Sequence, residues 1–150
     1  MDTRVVAGRA IEDVWIGEEI QPFGVPLTLQ RLVMEAAANR DFTPLHHDRD
    51  DARATGAPDA YANTMFIQAM IEAALRSWMG ARGWLEELDI RMEAFNLVGT
   101  FVTACGRVTD VIPEGDSGTA CLDVWLEADG VRTVVGTARV RLATARNGSE

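Results

Sequence analysis

Asp41 and His46 stand five positions apart in Asp41-Phe42-Thr43-Pro44-Leu45-His46, and together they can move protons. A carboxylate and an imidazole on one short loop can converge on a single water, one taking its proton while the other supplies one. Pro44 lies between them, fixing φ and lowering the cost of holding that geometry. On spacing alone, the same letters also fit a turn carboxylate followed by a hydrogen-bonded loop imidazole. Both readings stay open at this level.

Few other residues compete for a chemical role. His47, Asp48, Asp50 and Asp51 follow at once, but no ligand set converges among them, so a solvated turn fits better than a metal site. Cys105 and Cys121 fall in stretches that read as strands, far from any Cys-x-x-Cys spacing. They read as packing thiols in a reduced, cytoplasmic setting. All fourteen basic residues are arginine, which removes a Schiff-base lysine. A net charge of −9 argues against a broad grip on nucleic acid. The N-terminus does not read as a signal peptide, and no run approaches the ~18 uninterrupted apolar residues of a membrane span. Neither nucleic acid nor membrane is expected as a partner.

The elements that must hold Asp41 and His46 can be read in order. The 150 residues make one expected domain, 1–150, with its core over about 17–142 and a disordered tail over 144–150. Residues 1–16 read as a loose lead-in anchored by Trp15. Pro22 and Pro26 make 17–26 an extended arm. Thr28 is placed to cap a short helix with the stripe Leu29, Leu32, Val33 and Ala36, ending near Asn39. Asp48 can cap a single turn that stops at Gly56.

Pro58 and Asp59 mark the start of a longer helix. Its apolar residues, from Tyr61 to Met79, cover most of the circumference and leave Thr64, Gln68, Glu72 and Arg76 as one polar stripe. A helix of that kind belongs inside a core. From Leu85 the period becomes two, with strands expected over about 88–95, 100–112 and 119–128. Asp129-Gly130 is a two-residue hairpin signal, and Val134 to Leu142 alternate in a last strand. Gly136 and Ala138 are small enough to let a thick helix approach. The expected class is α+β, a long antiparallel sheet curled around one buried helix.

That arrangement resembles the hot-dog fold. Asp41-Phe42-Thr43-Pro44-Leu45-His46 is similar to the Asp-x-Asn-Pro-x-His motif of the MaoC-like, (R)-specific enoyl-CoA hydratases. Gly17-Glu18-Glu19-Ile20 matches that family's opening arm. Ala62-Asn63-Thr64-Met65-Phe66 falls where the family has Ala-His-Gly-Met-Leu, and Asn96-Leu97-Val98-Gly99-Thr100 where it has Pro-x-x-Gly-Asp. The departures are Thr43 for asparagine, Thr64 for glycine and Arg40 for a small residue before the acid. The stretch Arg40 to Asp50, with Asn63, looks most like short subunits from bacterial steroid and lipid degradation.

The resemblance implies addition of water across a trans-2-enoyl thioester, or the reverse dehydration. It makes Asp41 and His46 the catalytic pair and Thr43, Gly56, Asn63 and Thr64 the candidate substrate contacts. A backbone amide at the start of the buried helix would polarise the thioester carbonyl. No metal or redox cofactor is implied; coenzyme A belongs to the acyl-CoA substrate. A homodimer, or a heteromer with a second MaoC-like chain, is expected. In an alternative reading the chain is a non-catalytic or half-site subunit completing a partner's acyl pocket. A hot-dog thioesterase fits the Asp-x4-His loop less well. Arg40, Arg49 and Arg53 beside the loop, or Arg139 and Arg141 on the last strand, are candidates to meet the nucleotide phosphates, the alternative being that they answer nearby acids.

Overall fold

Alternation of apolar and polar side chains builds the sheet in the computed structural model, which describes residues 8–145. Strands β1 (Phe23–Pro26), β2 (Trp84–Met92), β3 (Phe101–Glu114), β4 (Ser117–Ala128) and β5 (Val131–Ala143) pair antiparallel in the order β1-β3-β4-β5-β2. On β4 the residues Ala120, Leu122, Val124, Leu126 and Ala128 are all buried, while their neighbours face the other side. Asp129 and Gly130 take positive φ, 49° and 82°, as a tight hairpin between right-twisted strands requires.

Helices α1 (Leu29–Asn39), α2 (Arg49–Ala54) and α3 (Thr64–Met79) lie between β1 and β2 in the chain. Phe66, Ile67, Met70, Ile71, Ala74, Leu75, Trp78 and Met79 of α3 are buried in one cluster with the inner faces of β3, β4 and β5. Each fully buried Leu or Ile side chain there contributes roughly 1.5–3 kcal/mol relative to exposure. This is an α+β hot-dog arrangement, with the central helix held against the curled sheet.

Several expectations change in the structure. Helix α3 starts at Thr64, not at Asp59, because the Asn63 side chain caps it by accepting from the Phe66 amide at 2.9 Å. Asp59 is drawn instead to Arg49, at 2.5 and 2.8 Å, and to Arg53 at 3.2 Å. The backbone between them is extended and pairs with the segment before β3, through Ala62 N to Asn96 O and Val98 N to Ala60 O. Tyr61 therefore lies outside the helix. Strand β2 runs earlier than expected and stops at Met92, because the amides of Glu93 and Ala94 both turn to Thr133 O.

Gly136 serves a neighbouring strand and not the helix: a Cβ there would lie 2.1 Å from Asp89 O on β2. Trp15 is 61% exposed, and Ile11 and Val14 anchor the lead-in in its place. Of the α1 stripe, Leu32 and Ala36 are buried while Leu29 and Val33 remain exposed. Only Phe23–Pro26 of the arm forms a regular strand, with Glu19 bridging to Arg107 further up. Thr144 and Ala145 are bonded to Asp116 and Glu12, so the order extends two residues into the expected tail. Residues 146–150 of that tail, like 1–7 of the lead-in, lie outside the described residues. Cys105 and Cys121 are half-buried free thiols, and burial pushes the Cys105 thiol up.

Candidate active site

The end of α1 sets the position of Asp41. Arg40 turns into the left-handed region at φ 56°, and its amide reaches Ala37 O. The Asp41 amide then reaches back to Ala36 O at 2.9 Å, which is the six-to-one bond of a Schellman stop. Asp41 leaves the helix in a fixed direction as a result. Its Oδ1 accepts from the Thr43 hydroxyl at 2.7 Å and the Thr43 amide at 3.3 Å, closing an Asx-type turn. Pro44 then starts a single 3-10 turn, Pro44–His46, that swings the imidazole back toward the acid.

His46 is buried, with Nδ1 2.8 Å from Tyr61 O. A carbonyl oxygen only accepts, so Nδ1 carries the proton and donates. That leaves Nε2 turned toward Asp41 Oδ2, 3.5 Å away. The Tyr61 ring meets the imidazole edge-on at 5.1 Å, and Phe95 backs Tyr61 at 4.7 Å. Asn63 joins the pair to the central helix. Its Oδ1 accepts from Phe66 N, so its Nδ2 faces Asp41 Oδ2 and donates at 2.8 Å.

These bonds shape the electrostatics. The Thr43 hydroxyl first, then the Asn63 amide, hold the Asp41 carboxyl below the ordinary aspartate value, and His46 adds a smaller pull. Behind them on α1, burial pushes the Glu35 carboxyl up, opposed chiefly by a hydrogen bond from Asn39. One Glu35 carboxylate oxygen is buried without a partner among the described residues.

Asp41, His46, Asn63 and Thr64 share a cavity of about 650 Å³ with Met65, Met92 and Phe95. Met65, Met92 and Phe95 are 43%, 52% and 47% exposed, so the described residues leave that apolar wall uncovered. The amides of Thr64 and Met65, in the first turn of α3, make no hydrogen bond among the described residues. Thr43 does not line the cavity; it acts on it through Asp41. Gly56 also lies outside the lining, at the end of α2 with φ 96° and open space around it.

Arg49 and Arg53 flank the loop but are engaged by Asp59, whose carboxyl Arg49 holds far below the usual range. Arg141 is likewise paired, with Glu86 and Glu114. Among the described residues no group of His, Cys, Asp and Glu could hold a metal ion, and no helix is long and apolar enough to cross a membrane. Tyr61, Phe95 and Asn96 enter the site without having been singled out from sequence as cavity walls. Tyr61 read as a core helix residue, Phe95 as the end of a strand, and Asn96 as the first residue of the Asn96–Thr100 segment, none with a role in the cavity.

No family model matches the chain. Over 93 residues it is 30% identical to the 3-oxo-4,17-pregnadiene-20-carboxyl-CoA hydratase beta subunit of Mycobacterium tuberculosis, a match covering 62% of this chain and 70% of that protein. Among solved structures, the ChsH1-ChsH2 complex from Mycobacterium tuberculosis matches with a TM-score of 0.78 at 22% identity, over 86% of this chain and 98% of that one. The (R)-hydratase from A. caviae matches with a TM-score of 0.78 at 23% identity, over 87% and 98%. A MaoC-like dehydratase from Rhodospirillum rubrum matches at 0.79 and 16%, over 91% and 98%. The fold is thus the hot-dog fold of hydratases and dehydratases. Within that class the chain belongs to the MaoC-like (R)-specific hydratase and dehydratase family, a family of enzymes.

Proposed function

We propose that the chain hydrates a trans-2-enoyl-CoA thioester to a 3-hydroxyacyl-CoA, or dehydrates the product in reverse. One observation carries this reading: Asp41 Oδ2 and His46 Nε2 lie 3.5 Å apart on the wall of a cavity also lined by Thr64 and Met65, whose first-turn amides are unbonded among the described residues. A water within reach of both groups is held and deprotonated by the pair. Its oxygen bonds to C3 as the C2–C3 π electrons move toward the thioester carbonyl. The amides of Thr64 and Met65, at the positive end of the helix dipole, stabilise the oxygen that gains charge. C2 then takes a proton back from the pair. Ionised Asp41 only accepts, so the imidazole is the group that can return it. Coenzyme A enters as part of the substrate, and no other cofactor takes part.

The test is direct. Purified protein incubated with a short trans-2-enoyl-CoA should yield the (R)-3-hydroxyacyl-CoA, and the same protein should return enoyl product from that alcohol. No conversion of linear or bulky enoyl thioesters, alone or with a second MaoC-like chain, would remove the reading.

A second reading is favoured by the uncovered wall of Met65, Met92 and Phe95. Here the chain is one subunit of a heteromer, and a second MaoC-like chain closes the acyl pocket. The similarity to a named beta subunit, whose substrate is a steroid-like CoA thioester, supports this and points to a bulky acyl group. Among the described residues, strand β2 also leaves one sheet edge unpaired, an invitation to further pairing. Sedimentation of an active species at the mass of a single chain, 16.4 kDa, would remove it and the homodimer together.

A further inference from the structure

Arg40 holds a backbone position that its side chain does not favour. At φ 56° it sits in the left-handed region, where a Cβ crowds the carbonyl and where helix stops usually place glycine. A cation near a helix C-terminus gains from the dipole, yet an arginine one turn earlier would gain the same without strain. The neighbouring arginines are also accounted for: Arg49 and Arg53 by Asp59, Arg31 by Pro26 O, Arg76 by Glu72. Arg40 is exposed and has no ion pair among the described residues, in a chain of net charge −9 with acids in excess. Strain together with an unanswered charge, one residue from a cavity-lining carboxylate, marks a functional position.

We propose that Arg40 binds a phosphate of the coenzyme A part of the substrate, from the rim of the cavity that Asp41 lines. The guanidinium offers a fork of donors that matches phosphate oxygens, and the residue is exposed to solvent. Among the described residues the other arginines near the motif are engaged, Arg49 and Arg53 by a carboxylate and Arg31 by a backbone carbonyl. This assignment rests on the thioester reading of the cavity.

Arg40→Gly separates the two roles, because glycine relieves the backbone strain while removing the charge. The variant should unfold at the same temperature as wild type or higher. Its kcat/KM for crotonyl-CoA, divided by that for crotonyl-pantetheine, should fall about tenfold, carried by KM, which corresponds to one charge-assisted contact. Arg40→Lys should recover part of that ratio. Calorimetric titration with free coenzyme A and with pantetheine should show the same selective loss without any turnover. An unchanged ratio and unchanged coenzyme A affinity in Arg40→Gly would overturn the inference, even with hydration intact. Selective loss of coenzyme A binding in a protein that hydrates nothing would uphold Arg40 and remove the reaction. Wild-type protein that binds no coenzyme A would overturn both.

Discussion

His46 Nδ1 lies 2.8 Å from the carbonyl oxygen of Tyr61, and that contact decides which ring nitrogen faces the cavity. The carbonyl can only accept, so the neutral imidazole is the Nδ1–H tautomer, with a free lone pair on Nε2. Nitrogen NMR of the neutral His46 ring should show Nδ1 protonated. A signal for the Nε2–H tautomer would mean that the ring cannot take a proton from water in this orientation.

Thr43 is the first cause of the depressed Asp41 pKa. Replacing its hydroxyl, in Thr43→Val, should raise that pKa. A carboxyl depressed in the folded state contributes stability above its unfolded value and loses it as pH falls through the folded value. The variant should therefore lose activity and stability at a higher pH on acidification than wild type does. Thr43→Asn, with a side-chain amide to donate, should restore much of the profile. An acid limb that does not move in Thr43→Val would detach Thr43 from the acid.

Glu35 runs the other way. Its carboxyl is raised by burial, so its favourable contribution is full below the unfolded glutamate value and is lost as pH rises through the raised one. Glu35→Gln keeps an amide to pair with Asn39 and removes the buried charge. Its thermal midpoint should exceed wild type at neutral pH, and the difference should vanish in acid. A variant less stable than wild type at neutral pH would show that the charge is answered in some other way.

Asn63 joins stability to the site through one side chain, capping α3 and donating to Asp41. Asn63→Ala should cost about 0.5–2 kcal/mol, the usual range for a lost cap. Activity should fall with it as Asp41 loses a partner. Asn63→Asp keeps the cap but sets a second carboxylate against Asp41, so stability should recover further than turnover. Denaturant unfolding and initial rates on the two variants check this; parallel recovery of both would reduce Asn63 to a cap.

Much of this was legible in the letters, and what escaped has a physical reason. The alternation on β4, the Asp129-Gly130 hairpin and the caps at Thr28 and Asp48 are local signals, and the structure shows each one. The closeness of Asp41 and His46 follows from a helix stop and a proline turn within a few residues. The start of α3 did not follow. Asp59 and Asn63 are both good caps, and the choice was made by distant partners: Arg49 and Arg53 claim Asp59, while Asn96 and Val98 hold the backbone between extended. Gly136 looked like a helix contact because sequence shows the face of a strand and not how closely the next strand approaches. The cavity wall of Met92 and Phe95 depends on β2 breaking off toward Thr133, a tertiary event without a local mark.

On the proposed mechanism, Asp41 and His46 act together on one water. The most direct measurement is the hydration rate of a good enoyl-CoA substrate by Asp41→Asn and by His46→Gln, with the fold of each followed by circular dichroism. Each variant should lose at least ~10² in rate with its fold intact, as expected for the loss of a general acid–base group. His47→Gln, one residue beyond the motif, should lose far less. Near wild-type turnover in either Asp41→Asn or His46→Gln would contradict the account.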